Sequence, residues 1–255
     1  MTYARFSIAV VGLWAVCSTG ILGQPASRIW GGEDALNFEF PFAASVRLDQ
    51  AHICGGTIIG TKHILTAAHC VVEKEKVISP KRLSVRVGST NQFAAGKLVD
   101  VESVIVNPNY SGVKNNLAVL ILETKLEWTS RIRGISLPTV DDEFPAAGTK
   151  VVVAGWGKQL NSDSAFKLNS YRFTVATEEV CKDAYSELDS SEFCMAHGLQ
   201  EGSCNGDAGN GAVVFNRLFG VTNFVVGACG SRYPDVFTNV THYVPWLESI
   251  VGDDF

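Results

Sequence analysis

Short apolar runs separated by turn-forming residues make up most of the chain after residue 40. The runs are rich in Val, Ile, Thr and Phe, which favour strands, while Gly, Pro, Asn and Asp stand between them. Strands are predicted at 42–48, 52–59, 63–70, 82–88, 98–106, 117–122, 149–157, 169–177, 211–215, 218–226 and 235–240. This many short strands predict an all-β barrel or sandwich.

Two further segments have the periodicity of helices. The stretch EEVCKDAY (178–185) is short and amphipathic. The stretch THYVPWLESIV (241–251) has one apolar face, formed by Tyr243, Trp246, Leu247, Ile250 and Val251. Pro245 is tolerated in the second helix only near its first turn. Residues 133–148 are rich in turn formers, so we expect the boundary between the two halves of the chain there.

The first residues have the pattern of a secretory signal peptide. Arg5 precedes the apolar run SIAVVGLWAVC (7–17), and the small residues of STGILG (18–23) suit cleavage. The apolar run is too short to span a bilayer, and no other run approaches that length. We therefore expect a soluble, secreted, extracellular protein with a signal peptide over 1–23, a short propeptide over 24–28 and one domain over 29–255.

Secretion changes how the cysteines are interpreted. Cys17 leaves with the signal peptide, and six cysteines remain, which in an oxidising compartment predict three disulfides of undetermined pairing. They are Cys54, Cys70, Cys181, Cys194, Cys204 and Cys229. No pair has C-x-x-C spacing and no histidine clusters with them, so we expect no metal and no cofactor.

Charge and sequons narrow the classes of partner. Loss of Arg5 and Arg28 makes the mature chain more negative than the −5 of the whole sequence. An acidic protein is a poor candidate for nucleic acid or anionic membranes, so neither is expected as a partner. Asn109 and Asn239 begin N-glycosylation sequons, which predict a glycoprotein unless they occur by chance.

Three separated motifs point to a family. LTAAHC (65–70), NNLAVLIL (115–122) and CNGDAGNG (204–211) resemble, in order, the His, Asp and Ser segments of chymotrypsin-family serine endopeptidases. Supporting matches are RIWGG (28–32), HICGGTII (52–59), NPNY (107–110), ISLP (135–138), AGWG (154–157) and PDVFTNVTHYVPWL (234–247). The resemblance covers the chain from Arg28 to its C-terminus.

The resemblance implies a fold and a set of cross-links. The fold is two antiparallel β-barrels packed face to face, over about 29–140 and about 141–240, with a C-terminal helix over about 241–251. The implied disulfides are Cys54–Cys70, Cys181–Cys194 and Cys204–Cys229.

The resemblance also assigns the catalytic positions. In this family a serine attacks the peptide carbonyl, a histidine takes its proton, and a carboxylate orients the histidine. His69 matches the histidine, but Asn116 stands at the aspartate position and Ala208 at the serine position. A methyl group cannot attack a carbonyl, and a neutral amide can favour the wrong histidine tautomer. We therefore predict a non-functional triad and a protein that is not an enzyme; His69 would then be a small buried polar residue beside the Cys70 disulfide.

Parts of the catalytic loop are kept. The N–H groups of Gly206 and Ala208 would form an oxyanion hole. Asp207 matches the family's acceptor for a new amino terminus, which here would be the Ile29 ammonium after cleavage of the Arg28–Ile29 bond. A buried carboxylate is costly unless it is paired, so we expect that ion pair to form.

The specificity pocket departs from a trypsin-like pattern. Gly202 occupies its base, which gives no support for a preference for basic residues, although Asp235 on the opposite wall would still place a carboxylate there. Val225 stands where a glycine normally leaves room for the substrate chain, so it should narrow the mouth of the pocket.

These features favour a secreted serine protease homologue, or pseudoprotease, that lacks the nucleophilic serine and the triad aspartate. The leading hypothesis is a monomeric, non-catalytic regulator or cofactor of proteolysis that binds a protease, a protease inhibitor or another secreted protein. One alternative is a weakly active or unusual serine-type endopeptidase that uses His69 and the oxyanion hole. The other is a structural or storage secretory glycoprotein.

Overall fold

The computed structural model describes Met1 and residues 32–139, 141–159 and 165–252. The expected signal peptide and propeptide, with Arg28 and Ile29, lie outside these residues. The strands are β1 Glu33–Asp34, β2 Ala43–Leu48, β3 Ala51–Ile58, β4 His63–Thr66, β5 Val72–Glu73, β6 Lys76–Val77, β7 Leu83–Val87, β8 Lys97–Val106, β9 Ala118–Leu122, β10 Lys150–Gly155, β11 Asn169–Val175, β12 Glu192–Ala196, β13 Gly211–Val214, β14 Arg217–Phe224 and β15 Asp235–Asn239. The helices are α1 Glu178–Ala184 and α2 Val244–Val251, and 3-10 turns lie at Ala68–Cys70, Pro80–Arg82 and Val240–Tyr243.

The first half of the chain forms a closed antiparallel barrel. Its strands follow the order β2-β3-β4-β9-β8-β7. In β8 the inward Val99 and Val101 are buried while Asp100 and Glu102 are exposed, the alternation expected of a strand with one solvated face. Burial of these aliphatic side chains on the inside of the barrel is the main force that closes it.

The second half forms a second closed barrel. The order β11-β10-β13-β14-β15-β12 is closed by pairing of β11 with β12, and β1 adds to the outer edge of β11. The predicted all-β fold of two antiparallel barrels is confirmed. Residues 33–34 pair with this second barrel, although the sequence-based division assigned them to the first.

Strand β12 was not predicted. Its sequence, EFCMA, contains one strong strand former and no β-branched residue, so it lacks the usual compositional signal. Pairing with β11 and β15 supplies what the local sequence does not, and the Cys181–Cys194 disulfide joins it to α1. The structure also contains Cys54–Cys70 and Cys204–Cys229, the other pairs that the resemblance implies.

The C-terminal helix packs onto the first barrel. Tyr243, Leu247 and Val251 are buried in the same apolar cluster as the barrel's core, on the face that the sequence pattern predicts. Pro245 lies in the first turn, where its missing N–H leaves no hydrogen bond unmade.

We expect Leu247→Ala to lower the free energy of unfolding by about 2–5 kcal/mol, because Leu247 is completely buried and its loss leaves a cavity. Glu248→Ala, on the exposed face of the same helix, should change it by less than about 0.5 kcal/mol. Urea unfolding measures the free energy of unfolding of both variants, and the two can be compared if their m-values are unchanged. Equal effects of the two substitutions would contradict this packing.

Candidate functional site

A cavity of about 650 Å³ opens where the two barrels meet. His69 reaches it from the 3-10 turn after β4, in the first barrel. Gly206 and Ala208 line its other side from the loop that joins β12 to β13, in the second barrel. The structure therefore brings together three of the residues that the resemblance assigns to catalysis.

The loop that carries Ala208 is fixed by backbone hydrogen bonds to both barrels. The Ala208 carbonyl accepts from Gly55 N at 2.8 Å, and Gly209 N donates to the Thr222 carbonyl at 2.9 Å. Gly206 has a φ of 93°, a conformation that glycine adopts without strain. Within the described part of the chain, the N–H groups of Gly206 and Ala208 have no acceptor.

The Asn116 side chain holds His69 through two contacts. Its Oδ1 accepts from the His69 backbone N–H at 2.9 Å, and its Nδ2 lies 2.7 Å from His69 Nδ1. The Nδ2 group also donates to Asn223 Oδ1 at 2.5 Å, while Asn223 Nδ2 donates to the Val113 carbonyl at 2.9 Å. Reversing the Asn116 amide would set its NH₂ group against the His69 N–H, so this network fixes its orientation.

This orientation determines the tautomer of His69. Because Asn116 Nδ2 donates to it, Nδ1 must be the unprotonated nitrogen, and the ring proton lies on Nε2. Burial lowers the pKa of His69, so the neutral imidazole is favoured. The residue is exposed and lines the cavity, so the prediction that it is a small buried polar residue is wrong. Neutral His69 is thus a hydrogen-bond donor toward the cleft.

Asp207 lies beneath the loop and is buried, with 1% of its surface exposed. Its carboxylate accepts from Gly157 N at 2.9 Å, Cys204 N at 3.0 Å and Asn210 Nδ2 at 3.1 Å. Burial raises its pKa to about 7 despite these donors. A Cβ atom at Gly157 would lie 2.1 Å from Asp207 Oδ2, which explains the second glycine of the AGWG motif.

Asn210 is a contributor that sequence reasoning missed. No role was predicted for it, and its amide supplies one of the donors to Asp207. The expected partner of Asp207, the Ile29 ammonium, lies outside the described residues, so that ion pair stays a prediction.

A side chain of the protein itself occupies the base of the expected specificity pocket. Val225 lines the cavity, whereas Gly202 and Asp235 are not among its lining residues. Asp235 Oδ1 lies 3.1 Å from His197 Nε2, and its Oδ2 accepts from Ser203 N at 2.6 Å. Both carboxylate oxygens are therefore engaged, contrary to the expectation of a carboxylate open to the pocket.

His197 is the residue that fills this space, and no sequence motif identified it. A Cβ atom at Gly202 would lie 2.8 Å from the His197 ring, so only glycine fits there. Burial alone would lower the pKa of His197, but the hydrogen bond and charge of Asp235 outweigh it and raise the pKa. The neighbouring Ser203 lines the cavity, and its buried hydroxyl has no partner in the described residues.

The asparagines of the two predicted sequons lie outside the cavity lining. Asn109 is exposed in the turn after β8, and Asn239 uses both ends of its amide, accepting from Thr241 N and donating to the Ser190 carbonyl.

Side-chain atoms of Cys54, His69 and Cys70 lie within 4.8 Å of one another, but the disulfide leaves no thiolate to bind a metal. Over the ranges that the structure describes, no helix is long and apolar enough to cross a membrane.

Comparison with known proteins places this site in a family context. The trypsin family model matches residues 29–247. Serine protease SP24D of Anopheles gambiae is 33% identical over 224 residues, covering 88% of this chain and 81% of that protein. Trypsin Tyr p 3.0101 of Tyrophagus putrescentiae is 34% identical (86% and 79% covered), and trypsin alpha of Drosophila melanogaster is 30% identical (95% of each).

These relatives correct one sequence-based prediction. The absence of serine and aspartate at two triad-equivalent positions led to the prediction that the protein is not an enzyme. That prediction is wrong by this comparison, because the similar proteins are named trypsins and serine proteases and point to an enzyme.

The Asp207 carboxyl should give the uncleaved chain a distinctive pH dependence. Its pKa is about 7 when folded and 3.8 ordinarily, so the folded state binds the proton more tightly. The stability that this group contributes is therefore fully present below about pH 4 and is lost as pH rises through about 7. We expect the difference in unfolding free energy between the natural chain and Asp207→Asn to fall over that range, measured by urea unfolding.

The same measurement tests the expected ion pair. In a chain cut after Arg28, pairing with the Ile29 ammonium would hold the carboxyl ionised, and the stability difference would no longer fall toward pH 7. An Arg28→Gln chain, which a trypsin-like enzyme cannot cut there, is the matched control. Identical pH profiles for cut and uncut chains would contradict the pairing.

Proposed function

This chain belongs to the trypsin family, and we propose that it regulates proteolysis by binding an extended polypeptide segment of a protein partner in its cleft. The observation that carries the proposal is the cavity of about 650 Å³ lined by Gly206 and Ala208, whose N–H groups have no acceptor among the described residues. Backbone N–H groups that lack an internal acceptor are suited to the carbonyl oxygens of a bound chain.

The other walls of the cavity are suited to side chains of such a segment. Val113, Phe224 and Val225 give it an apolar surface, and the exposed His69 adds one polar group. A mainly apolar concave surface with a few placed polar groups is the usual character of a binding site.

The roles of two positions are part of the proposal. Asn116 and Ala208 are taken as the triad-equivalent positions, supported by the contact of Asn116 with His69 and by the place of Ala208 in the same cavity. Binding of a polypeptide needs the shape and the donors of this cleft, and it does not need a hydroxyl at residue 208.

The setting of this activity is also proposed. The signal-peptide pattern of residues 1–23 supports secretion, and the three disulfides are of the kind that persist in an oxidising compartment. The proposed partner is accordingly another secreted protein, either a protease or an inhibitor of proteases. Glycosylation at Asn109 and Asn239 and cleavage after Arg28 belong to the same proposal.

A second candidate function is that of an unusual serine-type endopeptidase. The names of the relatives favour it, and so do His69 and the two unpaired N–H groups, which would stabilise negative charge on a carbonyl oxygen. Water would have to attack the carbonyl directly, because the Ala208 methyl group supplies no nucleophile. Mass spectrometry of incubated peptides distinguishes hydrolysis from binding alone.

The binding proposal is tested with fluorescein-labelled random dodecapeptides and fluorescence anisotropy. Val225→Gly should weaken binding and raise the Kd by about three- to tenfold, because it removes one apolar side chain from the cavity wall. Val226→Gly is the matched control, since it makes the same change in the same backbone segment at a residue outside the cavity lining. Absence of binding at millimolar peptide, or equal effects of the two variants, would reject the cleft as the binding site.

The endopeptidase route is tested with a fluorophosphonate that labels an activated serine. Ala208→Ser combined with Asn116→Asp should label up to about ten-thousand-fold faster than Ala208→Ser alone, because the carboxylate restores the tautomer in which Nε2 accepts a proton. Adding Asn223→Ser should raise the rate further, because Asn223 Oδ1 would otherwise lie against the new carboxylate.

The natural chain serves as the reference for these labelling rates. A single Ala208→Ser variant that labels as fast as the double variant would show that residue 116 is not the position of the triad carboxylate. Labelling of the natural chain itself would show that another hydroxyl group acts as nucleophile.

A further inference from the structure

Three hydrogen-bond donors belong to residues that line the cavity, and none has an acceptor within the described residues. Two are the N–H groups of Gly206 and Ala208. The third is Nε2–H of His69, which bears the ring proton because Asn116 donates to Nδ1. His69, Gly206 and Ala208 all line the same cavity.

This set of donors is suited to an anionic group with two oxygens. The carbonyl of an internal peptide bond offers one oxygen, which the N–H groups of Gly206 and Ala208 would satisfy between them. His69 Nε2–H would then face the peptide nitrogen, which carries no lone pair available for it. A carboxylate offers a second oxygen to that donor and gains charge-assisted hydrogen bonds at all three.

The alanine at position 208 leaves space for that second oxygen. Its side chain is a single methyl group, and it provides neither an acceptor for His69 Nε2–H nor a lone pair that would repel a carboxylate. The substitution that removes a nucleophile therefore also removes the competitor for the histidine proton.

Charged groups around the donors are few. Glu73 lines the cavity on an exposed strand and opposes an anion, an effect that salt screens. Asp207 lies beneath the loop, and its raised pKa means that it is partly protonated near neutral pH. Behind Asn223, Lys114 forms an ion pair with Glu192.

We infer that the cleft receives the free carboxyl terminus of a polypeptide, held by Gly206 N–H, Ala208 N–H and His69 Nε2–H. The inference rests on the proposed function and names the part of the partner that binds. A partner bound in this way presents its last residues to the cavity, so the apolar wall at Val225 contacts the side chains nearest that terminus.

The test compares two matched mixtures of N-acetylated hexapeptides, one with free C-terminal carboxylates and one with C-terminal amides. Affinity selection on the full chain with mass-spectrometric readout gives the acid-to-amide ratio. We expect acids to be preferred by about tenfold. His69→Phe should abolish most of the preference, and His242→Asn, which alters an exposed histidine outside the cavity lining, should leave it unchanged.

The Asn116→Asp variant shows whether His69 acts through the proton on Nε2 or only by supporting the structure of the cleft. The new carboxylate would hold the proton on Nδ1, so that Nε2 becomes an acceptor facing the ligand and the preference for acids falls at pH 8. At pH 5.5 protonation of the imidazole restores Nε2–H, and the preference should return. A structural defect would lower binding of acids and amides alike at both pH values.

The outcomes distinguish this inference from the function on which it rests. Equal binding of acids and amides by the natural chain overturns the carboxyl-terminus inference and leaves polypeptide binding in place. Binding of neither mixture overturns both. A preference for acids that is unaffected by His69→Phe overturns the role given to the histidine.

Discussion

The burial of the Asp207 carboxyl is the constraint on which the site depends. It is buried, where desolvation is costly, and it accepts hydrogen bonds from two backbone N–H groups and the Asn210 amide. Gly155 and Gly157 must lack a side chain for it to fit. The loop that contains Asp207 also carries Gly206 and Ala208, which line the cavity and whose N–H groups have no acceptor in the described part of the chain.

The amide at position 116 belongs to an extended polar network rather than acting alone. Asn116 donates to Asn223, whose own amide donates to the Val113 carbonyl and approaches Glu192, and Glu192 is paired with Lys114. Each side chain in this network is a hydrogen-bond partner of the next, so a change at one position leaves another without its partner. The neutral amides at 116 and 223 are therefore best understood as a pair, and the tautomer of His69 follows from both.

The sequence predicts most of the fold and the positions of the site residues, but not their interactions. Alternating β-branched residues identify the main strands, and the ordered motifs around His69, Asn116 and Ala208 identify the two barrels. Strand β12 escaped because tertiary pairing, not composition, forms it. The filling of the pocket base by His197 and the direction of the Asn116 amide depend on contacts between distant segments, which no local pattern encodes.

The prediction that the protein is not an enzyme failed for a related reason. It inferred the absence of activity from the identities of two residues, while the whole domain resembles proteases.

The selectivity of the cleft follows from its donors whether or not peptide bonds are cut there. A cluster of three donors favours a ligand that offers several acceptor atoms and a negative charge, as the terminal carboxylate of a polypeptide does. Hydrolysis of a peptide bond would generate such a terminus within the same cleft, and a partner that ends there would present it directly. The substitution of alanine at position 208 and the amide at position 116 act together in this respect. The first frees the proton of His69, and the second ensures that the proton faces the ligand.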